Sequence, residues 1–428
     1  VDDELRDAER AARERGDAAS YLRLAAALRR AGRAMEGAAA AFTARGLGAS
    51  RDEVFPLGQP LEGGGDALAP WPHPRGNSAG NGQSRVEGPG AGARVLFRVS
   101  LEGSPLLATP PLVLPDGSVV MGLGGAAPAG STPGTVLAAF DPGGAPRWRT
   151  VLSEPASPLV LTATGDIALS GERQLLRVRA ADGKLEDGVD LVRRSAGEPV
   201  GLDHLATRAP TAWNRSLIVR ESVVRGSSVE TLRGERDERL YVRGTPVATS
   251  DGWAYACGST YRMGKPEAPG RAPPLLVDRP AVFAFGREGE LRWVKPLPEV
   301  PRVQRPSVQL SAGRERLYVQ VQTRLVAFER GTGKALGEGA LAVPFLALDA
   351  DDEPIPHAPF GPPLLGAPVV DAAGRRYAPS RANGVVGLDA AGAPLFAIDS
   401  IPGVHRIVIA PGRLYCVARG ELVCIGLT

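Results

Sequence analysis

The densest group of side chains able to do chemistry is the stretch DADDEPIPH, in which Asp349, Asp351, Asp352 and Glu353 precede His357. Carboxylates in that number are ligands for a hard cation such as Ca²⁺. The stretch lacks the glycine that the turn of a helix-loop-helix calcium site needs, so a solvated acidic loop is the simpler reading. His73, His204, His357 and His405 are scattered and show no ligand spacing. Cys257, Cys416 and Cys424 form no CxxC pair; Cys416 and Cys424 fall on two arms of an expected hairpin and could bridge only if its register set them opposite each other. Buried free thiols are the simpler expectation. The GLGG run at Gly122, Gly124 and Gly125 follows a strand but opens no helix, and the sequence contains no nucleophile-elbow, zinc-protease or Walker motif. No catalytic residue, cofactor-binding residue or metal site is therefore assigned, and the chain is expected not to be an enzyme.

What positions these residues is a turn-rich chain. Among 428 residues, 54 are Gly and 39 are Pro, an excess that implies many turns joining short elements. Hydrophobic residues make up 43% and charged residues 23%, enough to build one large repeat domain and a smaller module. The net charge is only +3, and the arginines are interspersed with Asp and Glu, which argues against a nucleic-acid surface. No apolar run approaches the ~20 residues of a membrane span, and no leader is visible in the sequence as it begins.

Residues 2–45 carry helical periodicity. Leu5, Ala8 and Ala12, then Tyr21, Leu24, Ala25 and Leu28, then Met35, Ala38, Ala39 and Phe42 recur at helical spacing, with breaks at Gly16-Asp17 and Gly32. The expected module spans 1–55 and is either a cap packed on the main domain or an arm that binds a partner. Residues 56–93 form a Gly/Pro-rich lead-in.

From residue 94 the chain repeats one pattern. An apolar strand, a Gly turn and a strand that often carries an aromatic recur as VLAAFDPGGAPRWRT, LLRVRAADGKLEDGV, VFAFGREGELRWVKP, LVAFERGTGKALGEG and VVGLDAAGAPLFAID. Alternating apolar residues and turns about every ten residues are what four-stranded antiparallel blades require. The stretch 211–243 reads as a degenerate unit. The chain ends three strands into a last blade, and ARVLFRVSL at 93–101 has the form of the missing fourth strand. The expected fold is mainly β: a seven-bladed β-propeller over 94–428, closed by strand 94–101 joining the C-terminal blade, with a small α-helical N-terminal cap.

These repeats, together with WPHPRGNSAGNGQSRVEGP at 71–89, resemble the propellers built from pyrroloquinoline-quinone-like repeats. The pair YLRLAAALRRAGRAMEGAAAAFTARGL likewise resembles a single tetratricopeptide-type hairpin. The first resemblance covers the chain from about residue 70 onward and implies that the lead-in is ordered against the propeller. Catalytic members of that family use a bound quinone and Ca²⁺, eight blades, vicinal cysteines and a Trp platform, and this sequence has no adjacent cysteines. The better analogy is the non-catalytic branch of the outer-membrane assembly lipoproteins, which bind protein.

In a four-stranded meander, the loop after the second strand and the link to the next blade share one face. The long irregular segments, 124–134, 258–281, 192–210 and 342–363, all fall in those two classes, so they are expected on one rim, where a rigid scaffold usually binds. Tyr261, Arg262, Met263, Lys265, Arg271, Leu275, Leu276 and Arg279 combine aromatic, Met, Leu and Arg character suited to an interface. Phe345, Leu346, His357 and Phe360 are a second candidate patch. The expectation is a protein-binding scaffold with no cofactor, no nucleic-acid partner and no membrane span, placed in the cytoplasm. An exported envelope-assembly propeller and a quinone- or Ca²⁺-dependent enzyme are the alternatives, and the oligomeric state stays open.

Overall fold

The structure is a computed structural model that describes residues 2–58, 69–77, 79–101, 109–124, 135–152, 158–171, 174–190, 211–213, 216–219, 222–225, 228–234, 239–263, 275–277, 280–297, 308–321, 323–340, 346–349, 351–355, 360, 366–380 and 384–428. Four helices come first: α1 (Asp2–Arg15), α2 (Ala18–Arg30), α3 (Ala34–Gly46) and α4 (Arg51–Gly58). Asp17 caps α2 by accepting from the Ser20 amide at 2.7 Å. Ser50 and Glu53 cap α4 reciprocally: the Ser50 amide donates to Glu53 at 2.8 Å and the Glu53 amide to Ser50 Oγ at 3.3 Å. Among the described residues no helix is long and apolar enough to cross a membrane.

The rest is a β-propeller of antiparallel four-stranded sheets. Blade one holds Leu112–Val113, Val119–Gly124, Thr135–Phe140 and Pro146–Leu152; blade two holds Val160–Leu161, Asp166–Ser170, Gln174–Arg179 and Leu185–Asp190. Blade three is Arg239–Ala248, Ala254–Met263, Ala281–Phe285 and Leu291–Pro296; blade four is Val308–Ala312, Arg316–Val321, Arg324–Glu329 and Ala335–Ala340. Blade five is Val369–Val370, Arg376–Ser380, Gly384–Leu388 and Pro394–Ile398. Blade six takes Arg406–Ala410, Arg413–Ala418 and Glu421–Gly426 from the C-terminal end and Arg94–Ser100 as its fourth strand, with Val99 opposite Leu422.

In all six, the pairing of third and fourth strands slips by a bulge, as between Ala139 and Phe140 or between Ala327 and Phe328. The expectation of seven blades is corrected here: among the described residues, blades of this repeat number six. The degenerate stretch 211–243 divides. Thr211–Trp213, Ser216–Val219, Ser222–Arg225 and Ser228–Thr231 form a plain sheet whose outer pair, Ser222–Arg225 with Ser228–Thr231, runs without a bulge. Arg239 onward is the first strand of blade three.

Packing between blades explains the aromatic of the fourth strand. Trp148 lies over Gly183 in the third turn of blade two, and its indole donates to Ala180 O at 3.0 Å. Trp293 lies over Gly333 of blade four and donates to Arg330 O at 3.0 Å, and Phe97 lies over Gly144 of blade one. A Cβ on Gly183 would stand 2.5 Å from the Trp148 ring, and φ is +74° there, so both space and backbone demand glycine.

The lead-in is laid along the innermost strands. Carbonyls of Trp71, Pro72, Ala79 and Gly82 accept from the amides of Val113, Leu161, Ala312 and Val370, each at 2.9–3.0 Å. Arg75, half-buried and lowered by desolvation to about 9, donates to Leu310 O at 2.7 Å and to Ser311 Oγ at 3.0 Å. Trp71 is 1% exposed in the cluster that joins blades six, one and five. Trp71→Ala should cost about 3–5 kcal/mol, and Trp71→Phe less than about 1.5 kcal/mol, read from urea unfolding midpoints; equal small shifts would show that the lead-in does not brace the ring.

Candidate functional site

The geometry sorts the propeller into two ends. At one end lie the turns joining first to second and third to fourth strands. At the other, the partners Gly124↔Thr135, Thr135↔Leu152, Gly258↔Ala281, Ala281↔Pro296 and Arg324↔Ala340 bring together the points where the long segments leave and return.

Of the first candidate patch, Tyr261, Arg262 and Met263 belong to the second strand of blade three, which overshoots the blade. The chain returns as Leu275–Val277, with Tyr261 opposite Val277, Arg262 opposite Leu276 and Met263 opposite Leu275. The expected loop is therefore an extended hairpin standing on blade three at the end where the long segments leave. Lys265, Arg271 and Arg279 lie outside the described residues.

The described members of the second patch are buried. Leu346 and Phe360 are each 1% exposed, and Phe345 and His357 lie outside the described residues. Leu346 packs with Leu348 and Tyr318 against blade four; Ala347, Ile355 and Phe360 pack against blade five. Both contacts belong to a two-stranded hairpin in which Leu348 pairs with Pro354.

That hairpin explains the acidic stretch. The Asp349 amide donates to Glu353 O at 2.9 Å and the Asp352 amide to Asp349 O at 3.0 Å, the same pattern as Asp371 with Arg375 and Gly374 in blade five. Asp349 Oδ1 accepts from the Asp351 and Glu353 amides, as Asp371 Oδ1 does from Ala373 and Arg375. Leu348 N donates to Asn81 O at 2.9 Å, joining the series of inner-strand contacts with the lead-in. The stretch thus sits at the short-turn end, not on the long-segment rim. Its charges meet arginines: Glu353 pairs with Arg316, Asp349 with Arg376 at 3.5 Å, and Asp352 accepts from the Arg314 amide at 2.7 Å. Among the described residues no three His, Cys, Asp or Glu side chains are grouped to hold a metal.

The other reactive side chains are structural. Cys416 faces Val423, and Cys424 faces Tyr415, so the two cysteines are one register step apart and on opposite faces of the sheet. None of the three cysteines is in a disulfide, and all three are buried. Burial raises the Cys416 thiol, and raises Cys424 to about 11. His405 is lowered by burial and sits 3.4 Å from Gly403 O. Asp371 ties the lead-in to blade five: its Oδ2 accepts from the Gly88 amide at 2.8 Å, Arg375 at 2.7 Å and Tyr377 at 3.0 Å. A pocket of about 290 Å³ is lined by Val223, Glu230, Leu232, Glu288 and Leu291.

No family model and no curated protein sequence matches the chain. Among solved structures it is similar to BamB from Moraxella catarrhalis, at 15% identity and a TM-score of 0.39, over 78% of this chain and 100% of that one. It is also similar to a europium-containing methanol dehydrogenase, at 11% identity and a TM-score of 0.47, over 88% of this chain and 100% of the other. The β-propeller domain of Cps50 (Swd1) from Myceliophteria thermophila matches at 9% identity and a TM-score of 0.44, over 78% of this chain and 100% of that one.

Thiols held protonated in a packed sheet do not react. At pH 8 the native protein should take up no iodoacetamide while the urea-unfolded chain takes up three, counted by mass spectrometry; labelling of Cys424 in the native state would contradict the burial described.

Proposed function

We propose that the protein is a non-enzymatic interaction scaffold that binds a protein partner at the end of the propeller where the long segments emerge. The observation that carries this reading is the inequality of the two ends. The short-turn end is engaged by the chain itself: the lead-in runs across Val113, Leu161, Ala312, Leu348 and Val370, and the helices sit on blade two. The opposite end carries the extended hairpin of Tyr261–Met263 with Leu275–Val277. A strand pair that projects from a rigid sheet presents side chains at a low ordering cost, which favours binding.

In this reading the propeller is of the pyrroloquinoline-quinone-like, non-catalytic kind and the helices are a tetratricopeptide-like module of one hairpin. Support for the non-catalytic part comes from the residues: the carboxylates of the acidic turn are directed at the chain's own amides and arginines, and its cysteines are packed inside sheets.

The hairpin gives a clean test, because Met263 and Leu275 are direct partners and a two-residue Asn-Gly turn can join them. Replacing 264–274 by Asn-Gly should leave the unfolding temperature within about 2 °C, since shortening a connection changes its closure entropy only slightly. It should also abolish capture of the principal partner recovered with the intact protein. Equal recovery of every partner by both proteins would remove the hairpin from this reading.

A further inference from the structure

We infer that the helical module is latched to blade two by a four-charge cluster around Asp166 and is built to detach as a unit. Asp166 opens the second strand of blade two and is 1% exposed. Its Oδ2 accepts from Arg51 Nε at 2.8 Å and from Thr164 Oγ1 at 2.9 Å, and its Oδ1 lies 3.4 Å from Arg45. Glu186, on the fourth strand of the same blade, lies 3.1 Å from Arg45 and 3.6 Å from Arg51. Two arginines from α3 and from α4 therefore each bridge two carboxylates on different strands. Arg45 also donates to Ala49 O at 3.2 Å, which fixes it against the helical side of the contact.

Among the described residues the apolar part of this contact rests on Phe42 and Gly46. Phe42 enters the cluster between blades one and two, and Gly46 meets Ala181, where an added Cβ would come within 2.9 Å. The helices have a core of their own in Ala25, Leu28, Ala40, Ala41, Ala44 and Val54, made largely of alanine.

A desolvated cluster of this type behaves as a switch. While the module is docked, Asp166 and Arg45 are out of water and Arg51 and Glu186 are partly so, and the buried pair tolerates no missing partner. Once it is undocked, Asp166, Glu186, Arg45 and Arg51 return to water, and the loss of a partner costs almost nothing. Neutralising one member therefore penalises the docked state alone and shifts a docking equilibrium, leaving the ring intact. Arg177, lowered by burial and by Arg51 and raised by Asp166, and Arg179, 4.0 Å from Glu186, face the same carboxylates from the blade and keep Asp166 and Glu186 compensated after the helices leave.

Hydrogen exchange of the full chain at neutral pH tests this with two variants, Asp166→Asn and the double change Arg45→Gln/Arg51→Gln. Both are expected to raise exchange in α3, α4 and the 162–166 turn by about tenfold or more, while Arg413–Ala418 and Glu421–Gly426 exchange as in the parent. Unchanged exchange of α3 and α4 in the double variant overturns the latch. So does an equal rise in the blade-six strands, which would mean that the charges hold the ring and not the module.

Discussion

The innermost strand of a propeller blade leaves a row of amides facing the central channel, where they cannot pair with a neighbour in their own sheet. An unsatisfied buried amide costs about 1–3 kcal/mol, so several blades arranged around one axis accumulate a considerable penalty. Here the lead-in answers it with its own carbonyls: Trp71 to Val113, Pro72 to Leu161, Ala79 to Ala312, Asn81 to Leu348 and Gly82 to Val370. The same segment then runs on through Glu87, whose carbonyl accepts from Gly412, into Arg94–Ser100, the strand that completes blade six. Satisfaction of the channel and closure of the ring are thus done by one continuous stretch, and losing its grip at either place exposes the other.

The contact between blades follows a second rule with two exceptions, blade two, whose fourth strand LEDGVD has no aromatic, and blade four. Where the register sets Trp148 opposite Ala139 and Trp293 opposite Ala284, blade four sets Gly337 opposite Ala327. The neighbour of blade four is the two-stranded hairpin Leu346–Ile355, in which no third turn is described that an aromatic could cover. Leu336, on the same strand, is 48% exposed. The hairpin itself is bounded by chemistry: Ile355 donates inward to Ala347 O at 3.0 Å, so the nitrogen of Pro354 points to the outer edge and has no hydrogen to give.

Much of the architecture is visible in the sequence because its causes are local. Alternating apolar residues followed by a Gly turn identify the strands of VLAAFDPGGAPRWRT without any long-range information, and the Trp is readable as a packing residue. The count of blades is not readable in that way. In 211–231 the strands are too short for the bulged outer pair, so a four-stranded sheet exists where the repeat does not. The acidic stretch misleads for a related reason. Asp352 adopts φ +62°, the conformation given to Gly374 in the matching turn of blade five, and Asp349 supplies the side-chain acceptor that Asp371 supplies there. Aspartate tolerates the left-handed region better than most residues, so a turn made of carboxylates resembles a cation site. The shared Asp at the first turn position, five positions before the second strand (Asp371 to Arg376, Asp349 to Pro354), is the signal that identifies it.

Contacts across the chain are illegible for a simpler reason. Nothing near Arg45 marks it out from the other arginines of the helices, and its partner Asp166 stands 121 residues away. Its burial comes from the approach of α3 to blade two, which Gly46 permits by having no side chain to hold Ala181 off. The consequence for function is spatial. With the helices on blade two and the lead-in along the inner strands, the short-turn end is committed to holding the molecule together. In the proposed reading binding falls to the other end, where the strands of blade three continue past their own sheet.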